Sequence, residues 1–314
     1  MTDKNEENWG NKALEKISQV AFSEQRKTRR WGIFFKLATL TYLSILLYIF
    51  ISSSQNTNSA MGDFTAVIHI NGPISSESEA NAKDFKRNLN DAYSNPGTKG
   101  IILAINSPGG SPVQAGIMND EIKRLKGQHP QIPIYSVVDD ICASGAYYVA
   151  VATDGIYVDK ASIIGSIGVL MDGFGYEGAM KKLGVDRRLM TAGTNKAALD
   201  PFSPINLEQK AHVQSLLNEV HQQFIDVVKD GRGSKLSSDE QIFSGLFWSG
   251  KASIKLGLSD QLGDVDYVAR EVIGFERVED FTTYESFTDR FAKQLGVTLA
   301  AKIESKIINK YIFN

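Results

Sequence analysis

Apolar residues fall along the chain in two regimes. Over residues 31–51 the run WGIFFKLATLTYLSILLYIFI is apolar almost without a break. As a helix it is roughly 31 Å long, enough to cross the hydrocarbon core of a bilayer. Its one charge, Lys36, sits near the start, where a long stem can carry the ammonium to the interface. A helix apolar all round and followed by a polar stretch, SSSQNTNSA, does not read as the core helix of a globular domain. It is also too long for a cleaved signal peptide, although Ser59-Ala60 would weakly permit cleavage. Beyond residue 62 the pattern changes to short apolar runs of strand length alternating with amphipathic stretches. Strands are predicted over 64–70, 100–105 (GIILAI, suited to a sheet buried on both faces), 132–138 and 155–158, with another after the Gly-rich segment 165–168. Helices are predicted over 80–93, from Pro112 onward, over 145–152, up to Leu183 with Gly184 as its stop, and from about Asn206 to Asp230. Ser111, Pro112 and Gln114 form a capping-box pattern at the second of these. Residues 139–143 read as a turn, 185–190 as extended, and 191–204 as an irregular loop broken by Gly193, Pro201 and Pro204. This alternation predicts an α/β fold with a largely parallel sheet.

Charge orients the apolar run. Arg26, Lys27, Arg29 and Arg30 precede it and nothing charged follows within the linker, so the positive-inside rule leaves the N-terminus in the cytoplasm and the rest outside. The expected organisation is a tail over 1–30, a transmembrane helix over 31–52, a linker over 53–62, a globular domain over 63–294 and a helical tail over 295–314. The first tail includes an amphipathic stretch around Leu14, Ile17, Val20 and Phe22. The last carries Ile303, Ile307, Ile308, Tyr311 and Ile312 on one helical face, which reads as a docking helix at a subunit contact, with a membrane-surface helix or a tail entering an active site as the alternatives. A net charge of −2 argues against a nucleic-acid partner, which requires a clustered basic surface. The single cysteine, Cys142, permits no intrachain disulfide and reads as a small buried residue.

Two Gly-containing turns stand at strand ends just before helices, Pro108-Gly109-Gly110 and Ala143-Ser144-Gly145. Backbone N–H groups in such turns stabilise anions. If the two strands are neighbours, the N–H groups of Gly109 and Gly145 can converge on one oxygen beside Ser144, forming an oxyanion hole. Neither turn has the Lys-Ser/Thr ending of a phosphate-binding loop. A nucleophilic serine needs a base. His69, His129, His212 and His221 are all remote from the serine turn in sequence, and a histidine base stays open. A lysine can serve where burial lowers its pKa from about 10.4 to about 7–8.

The segment VDDICASGAYYVAVATDGIYVDKASIIGSIGVL, the earlier INSPGG and the late FSGLFWSGKASIKLGLSDQLGDVD together resemble the short form of the signal peptide peptidase A family of Ser–Lys proteases. The resemblance covers roughly residues 64–272. It implies a Clp protease/crotonase-like fold built from repeated ββα units, preceded by one transmembrane helix. It implies Ser144 as nucleophile, Lys196 in TAGTNKAALDPFSP as general base, Ser166 as the hydroxyl that orients the lysine, and Gly109 and Gly145 as oxyanion donors. It also implies a homo-oligomeric ring in which the serine and lysine of one site come from neighbouring protomers. Ala146 stands where the family often has glycine, and Cys142 beside the serine is atypical.

The expected function is hydrolysis of remnant signal peptides and other apolar peptides at a bacterial inner membrane, with the domain extracytoplasmic and no metal, nucleotide or other cofactor required. Two alternatives keep the fold: a crotonase-like enzyme acting on acyl-CoA thioesters, and a non-catalytic membrane-anchored ring that scaffolds other proteins.

Overall fold

A computed structural model of the chain describes residues 16, 24–27, 29–48 and 62–284. The amphipathic stretch expected around Leu14–Phe22, the polar linker and the C-terminal tail lie outside the described residues. The chain divides into two units, residues 1–61 and 62–314. In the first, helix α1 spans Glu24–Tyr48, with a mean hydropathy of 1.4 over its most apolar window and none of that window buried within the protein. It is long and apolar enough to cross a membrane by length and composition. It starts earlier than the apolar run, so that Arg26, Arg29 and Arg30 lie on its own first turns.

The second unit contains β1 (Phe64–Asn71), α2 (Ala82–Ser94), β2 (Thr98–Ser107), α3 (Pro112–Gln128), β3 (Ile134–Ala143), α4 (Gly145–Ala150), β4 (Gly155–Val158) and β5 (Ile163–Gly165). It continues with α5 (Glu177–Leu183), α6 (Leu207–Arg232), β6 (Phe247–Ser249), α7 (Gly250–Lys255), β7 (Gln261–Leu262), α8 (Val265–Tyr267) and β8 (Val278–Asp280). The sheet runs β6-β5-β3-β2-β1-β8, with β4 paired to β3 and β7 to β4. Every pairing is parallel except β5 with β6.

The continuous apolar run of β2 is explained by burial on both faces. Ile101, Leu103 and Ile105 enter a core shared with α2, α3, α4 and α6, while Ile102 and Ala104 enter a smaller one with Val67, Val137, Tyr157 and Val268. Successive side chains of a strand point to opposite faces, so a strand covered on both sides needs no polar alternation. Tyr147 of α4 is fully buried and donates its hydroxyl proton to the Leu258 carbonyl at 2.7 Å, fixing this short helix against the sheet.

Three sequence expectations are corrected. Residues 139–143 are not a turn: β3 continues through them. Val138 pairs with Ile105 and Cys142 with Ser107, so four steps of β3 oppose two of β2. This bulge lets β3 fork, its first half pairing with β4 and its last residues, Ile141–Ala143, with β5. The strand expected after Gly168 does not form; the apolar residues there, Leu170 and Met171, are exposed. The capping box at α3 is half made. The Ser111 hydroxyl accepts from the Gln114 N–H, but the Ser111 N–H is already taken by the Ile74 carbonyl, and the Gln114 side chain turns instead to accept from the Ala82 N–H at the start of α2.

A buried ion pair ties the end of α6 to β4. Arg232, 4% exposed, donates to the Gly257 carbonyl and to both oxygens of Asp260, and Lys235 donates to the same carboxylate. Burial pushes the Asp260 carboxyl up, but the hydrogen bonds from Arg232, Lys235 and the Ile156 N–H outweigh it and hold it at about 2. A depressed folded-state pKa contributes stability that is present above the unfolded value of 3.8 and lost as pH falls through about 2. Asp260→Asn is therefore expected to lower the unfolding free energy at pH 7 by about 2 kcal/mol. Denaturant titrations should show that deficit shrinking between pH 4 and pH 2.

Candidate functional site

The bulged end of β3 delivers the chain to Ser144 in an uncommon conformation, φ 52° and ψ −125°. A non-glycine residue rarely adopts a positive φ, and such outliers concentrate at functional sites. Ser144 occupies the N-cap position of α4, yet its side chain makes no capping hydrogen bond. That removes the ordinary reason for a serine at a helix start. Its N–H donates to the Gly165 carbonyl at 2.8 Å, which joins the serine turn to β5.

The turn after β2 packs directly against it. Gly109 has φ 94°, and a Cβ added there would lie 2.6 Å from both the Ala143 carbonyl oxygen and the Gly145 nitrogen, and 2.8 Å from Ser144 Cβ. Only glycine permits this approach. The Gly109 N–H itself donates to the Ser107 hydroxyl at 3.2 Å. The next residue, Gly110, lines the cavity with Ser144 and Gly145. Among the described residues its N–H makes no backbone hydrogen bond. Sequence reading named the first glycine of the pair and passed over the second. The isolated bridge between Ile74 and Gly110, which turns the pair, has no local sequence signal.

Ser144, Gly110, Gly145 and Ser166 line one cavity of about 630 Å³, together with Tyr148, Leu217, His221 and Phe224. Ser166 also has a positive φ, 54°, and its N–H donates to the Leu246 carbonyl at 2.7 Å. Of the histidines, His221 alone lies on the cavity wall among the described residues. Its Nε2 is 3.1 Å from the Ile167 carbonyl oxygen. His129 stacks on Tyr93, and His212 is exposed on α6. Cys142 is fully buried, and burial pushes its thiol far up from the ordinary value, so it stays protonated.

Lys196 is not brought into this cavity within one chain. It lies exposed in a turn, its N–H donating to the Gly193 carbonyl. Among the described residues neither its amine nor the Ser144 hydroxyl makes a hydrogen bond or ion pair. The turn belongs to an arm, residues 169–206, that buries little against its own chain. None of α5 is buried, and Leu170, Phe174, Leu183, Met190 and Ile205 are all more than 70% exposed. The arm is held mainly by itself: Tyr176 stacks on Phe202, and Arg187 pairs with Asp200 and lies over the same ring.

The family model described as peptidase family S49 matches residues 126–298, more than half of the chain, a span that includes Ser144, Ser166 and Lys196. A Methanocaldococcus jannaschii protein provisionally named protease MJ0651 is 31% identical over 241 residues, 74% of this chain and 76% of that protein. Protease 4 of Haemophilus influenzae is 28% identical over 234 residues, 71% of this chain and 37% of that protein. The Na(+)/H(+) antiporter NhaA of Brucella melitensis is 42% identical over 186 residues, 59% of this chain, and the chain spans 25% of that protein's length. With a serine freed from capping, a glycine turn pressed against it and this coverage, the chain belongs to peptidase family S49, the family of signal peptide peptidase A.

Proposed function

We propose that this chain is a membrane-anchored serine endopeptidase with Ser144 as nucleophile and Lys196 of a neighbouring protomer as general base. The observation that carries the reading is the conformation of Ser144. Its hydroxyl is released from capping at the mouth of a 630 Å³ cavity that also holds Ser166 and the glycine turn. The Lys196 amine takes the hydroxyl proton as Ser144 Oγ attacks the peptide carbonyl. The oxygen that becomes negative is received by the Gly145 N–H and by the glycine turn, where Gly110 lines the cavity while the Gly109 N–H already donates to the Ser107 hydroxyl. The amine leaves with the proton, and water, deprotonated by the same lysine, hydrolyses the acyl-enzyme.

A lysine acts as base only where its charged form is disfavoured by burial, and an interface between protomers supplies that burial. The exposed apolar arm supports a ring, since patches of this size on a lone chain mark an interaction surface. On this reading the arm carries Lys196 onto the Ser144 cavity of the next copy. The globular unit then runs over 63–294 on the outer side of a bacterial inner membrane, with the N-terminus cytoplasmic. Its substrates are remnant signal peptides and other apolar peptides that reach it from the bilayer.

A fluorophosphonate probe tests the nucleophile. The assembled protein is expected to take one label per active site, on Ser144, and Ser144→Ala is expected to take none. A native chain that stays unlabelled would leave only the acyl-CoA or scaffold reading.

A further inference from the structure

Helix α6 turns a stripe of Val213, Leu217, Val220, Phe224 and Val228 toward the rest of the chain, and these residues are half-buried or buried. His221 lies on that stripe, one turn from both Leu217 and Phe224. Its imidazole faces the cavity that holds Ser144 and Ser166, and its Nε2 is 3.1 Å from the Ile167 carbonyl oxygen. A carbonyl only accepts, so Nε2 carries the proton. Ile167 follows Ser166 directly, and its side chain is fully buried.

Three ties hold the short segment from Gly165 to Ile167. The Gly165 carbonyl accepts from the Ser144 N–H, the Ser166 N–H donates to the Leu246 carbonyl, and the Ile167 carbonyl accepts from His221. The first two are backbone contacts on the β5 side. The third comes from a side chain on another element, helix α6. Ser166, at φ 54°, sits between them in a conformation that the surrounding structure has to impose. An aliphatic residue at position 221 would complete the apolar stripe of α6 but would leave that carbonyl without a donor.

We propose that His221 is a positioning residue for Ser166: by anchoring the Ile167 carbonyl it holds the Ser166 hydroxyl where it meets the incoming lysine amine. The inference rests on the reading of Ser166 as the group that orients that lysine.

The test uses the assembled full-length protein and a fluorogenic apolar peptide, with Tm and oligomer size recorded for every variant. His221→Gln places an amide nitrogen where Nε2 stands, whereas His221→Asn places one where Nδ1 stands, out of reach of the carbonyl. His221→Asn is expected to lower kcat roughly tenfold with KM changed less than about twofold, and His221→Gln to keep most of the parent kcat. His221→Leu, which suits the apolar stripe, is expected to lose as much kcat as Asn, so the test survives if the Asn variant folds poorly. In a Ser166→Ala background the loss from His221→Asn is expected to shrink below about twofold, because residues acting through one another are not additive. Equal losses with and without Ser166, or a Gln variant as impaired as Asn, overturn the proposal. If Ser166→Ala alone turns over like the parent, the role of Ser166 is refuted, and the proposal falls with it.

Discussion

Co-expressed Ser144→Ala and Lys196→Ala chains are expected to recover turnover that neither variant shows alone. Each single variant should lose roughly 10⁴-fold or more in kcat, the scale on which removal of a nucleophile or its base acts. If one site takes its serine from one protomer and its lysine from the next, a randomly mixed ring contains sites that meet an intact serine with an intact lysine. With equal amounts of the two chains, about a quarter of the sites qualify, so specific activity should return to about a quarter of the parent value. Peptidase assays on purified mixed assemblies check this. No recovery would mean that each site draws both residues from one chain, which would require the arm at 169–206 to fold back over its own cavity.

Gly109→Ala is expected to abolish most of the activity while leaving the sheet intact. A methyl group there would press within 2.6 Å of the Ala143 carbonyl and the Gly145 nitrogen. Residue 109 would also have to keep φ 94°, which costs an alanine about 1–3 kcal/mol. Relief comes only by moving the glycine turn away from Ser144 or by shifting Gly145, and either displaces a proposed oxyanion donor. Loss of one such donor lowers kcat roughly 10²–10³-fold. Steady-state kinetics should show that fall with far-ultraviolet circular dichroism unchanged. A Gly109→Ala enzyme with parental kcat would separate the glycine turn from the chemistry.

The parts of this site that rest on local chemistry were legible in the sequence. GIILAI reads as a doubly covered strand because nothing polar interrupts it, and Pro108-Gly109-Gly110 and Ser144-Gly145 read as turns because glycine and proline punctuate strand ends. What depends on distant partners was not legible. Asp139 and Asp140 look like turn residues, yet they lie exposed inside the bulged stretch of β3, a register choice that only β2 and β5 dictate. Val169, Leu170 and Met171 look like a strand, but no neighbour in the chain pairs with them. Gln114 carries a capping signature and still turns to another helix, because the Ser111 N–H already donates to the Ile74 carbonyl. His221 reads as one polar residue on a long helix until its Nε2 is found 3.1 Å from the Ile167 carbonyl oxygen.

The fork in β3 has a consequence for how such a machine is adjusted. Just before Ser144, Cys142 is paired with Ser107 on one side and Ile164 on the other, and Ala143 is paired with Gly165. The residues leading into the serine are thereby held from both flanks, like a blade in a vice. The arm bearing Lys196 has no sheet pairing and little buried surface, which puts it among the segments that open most readily. If Lys196 is the base, tuning by temperature, lipid or neighbouring copies acts on its approach, while Ser144 stays where the sheet holds it.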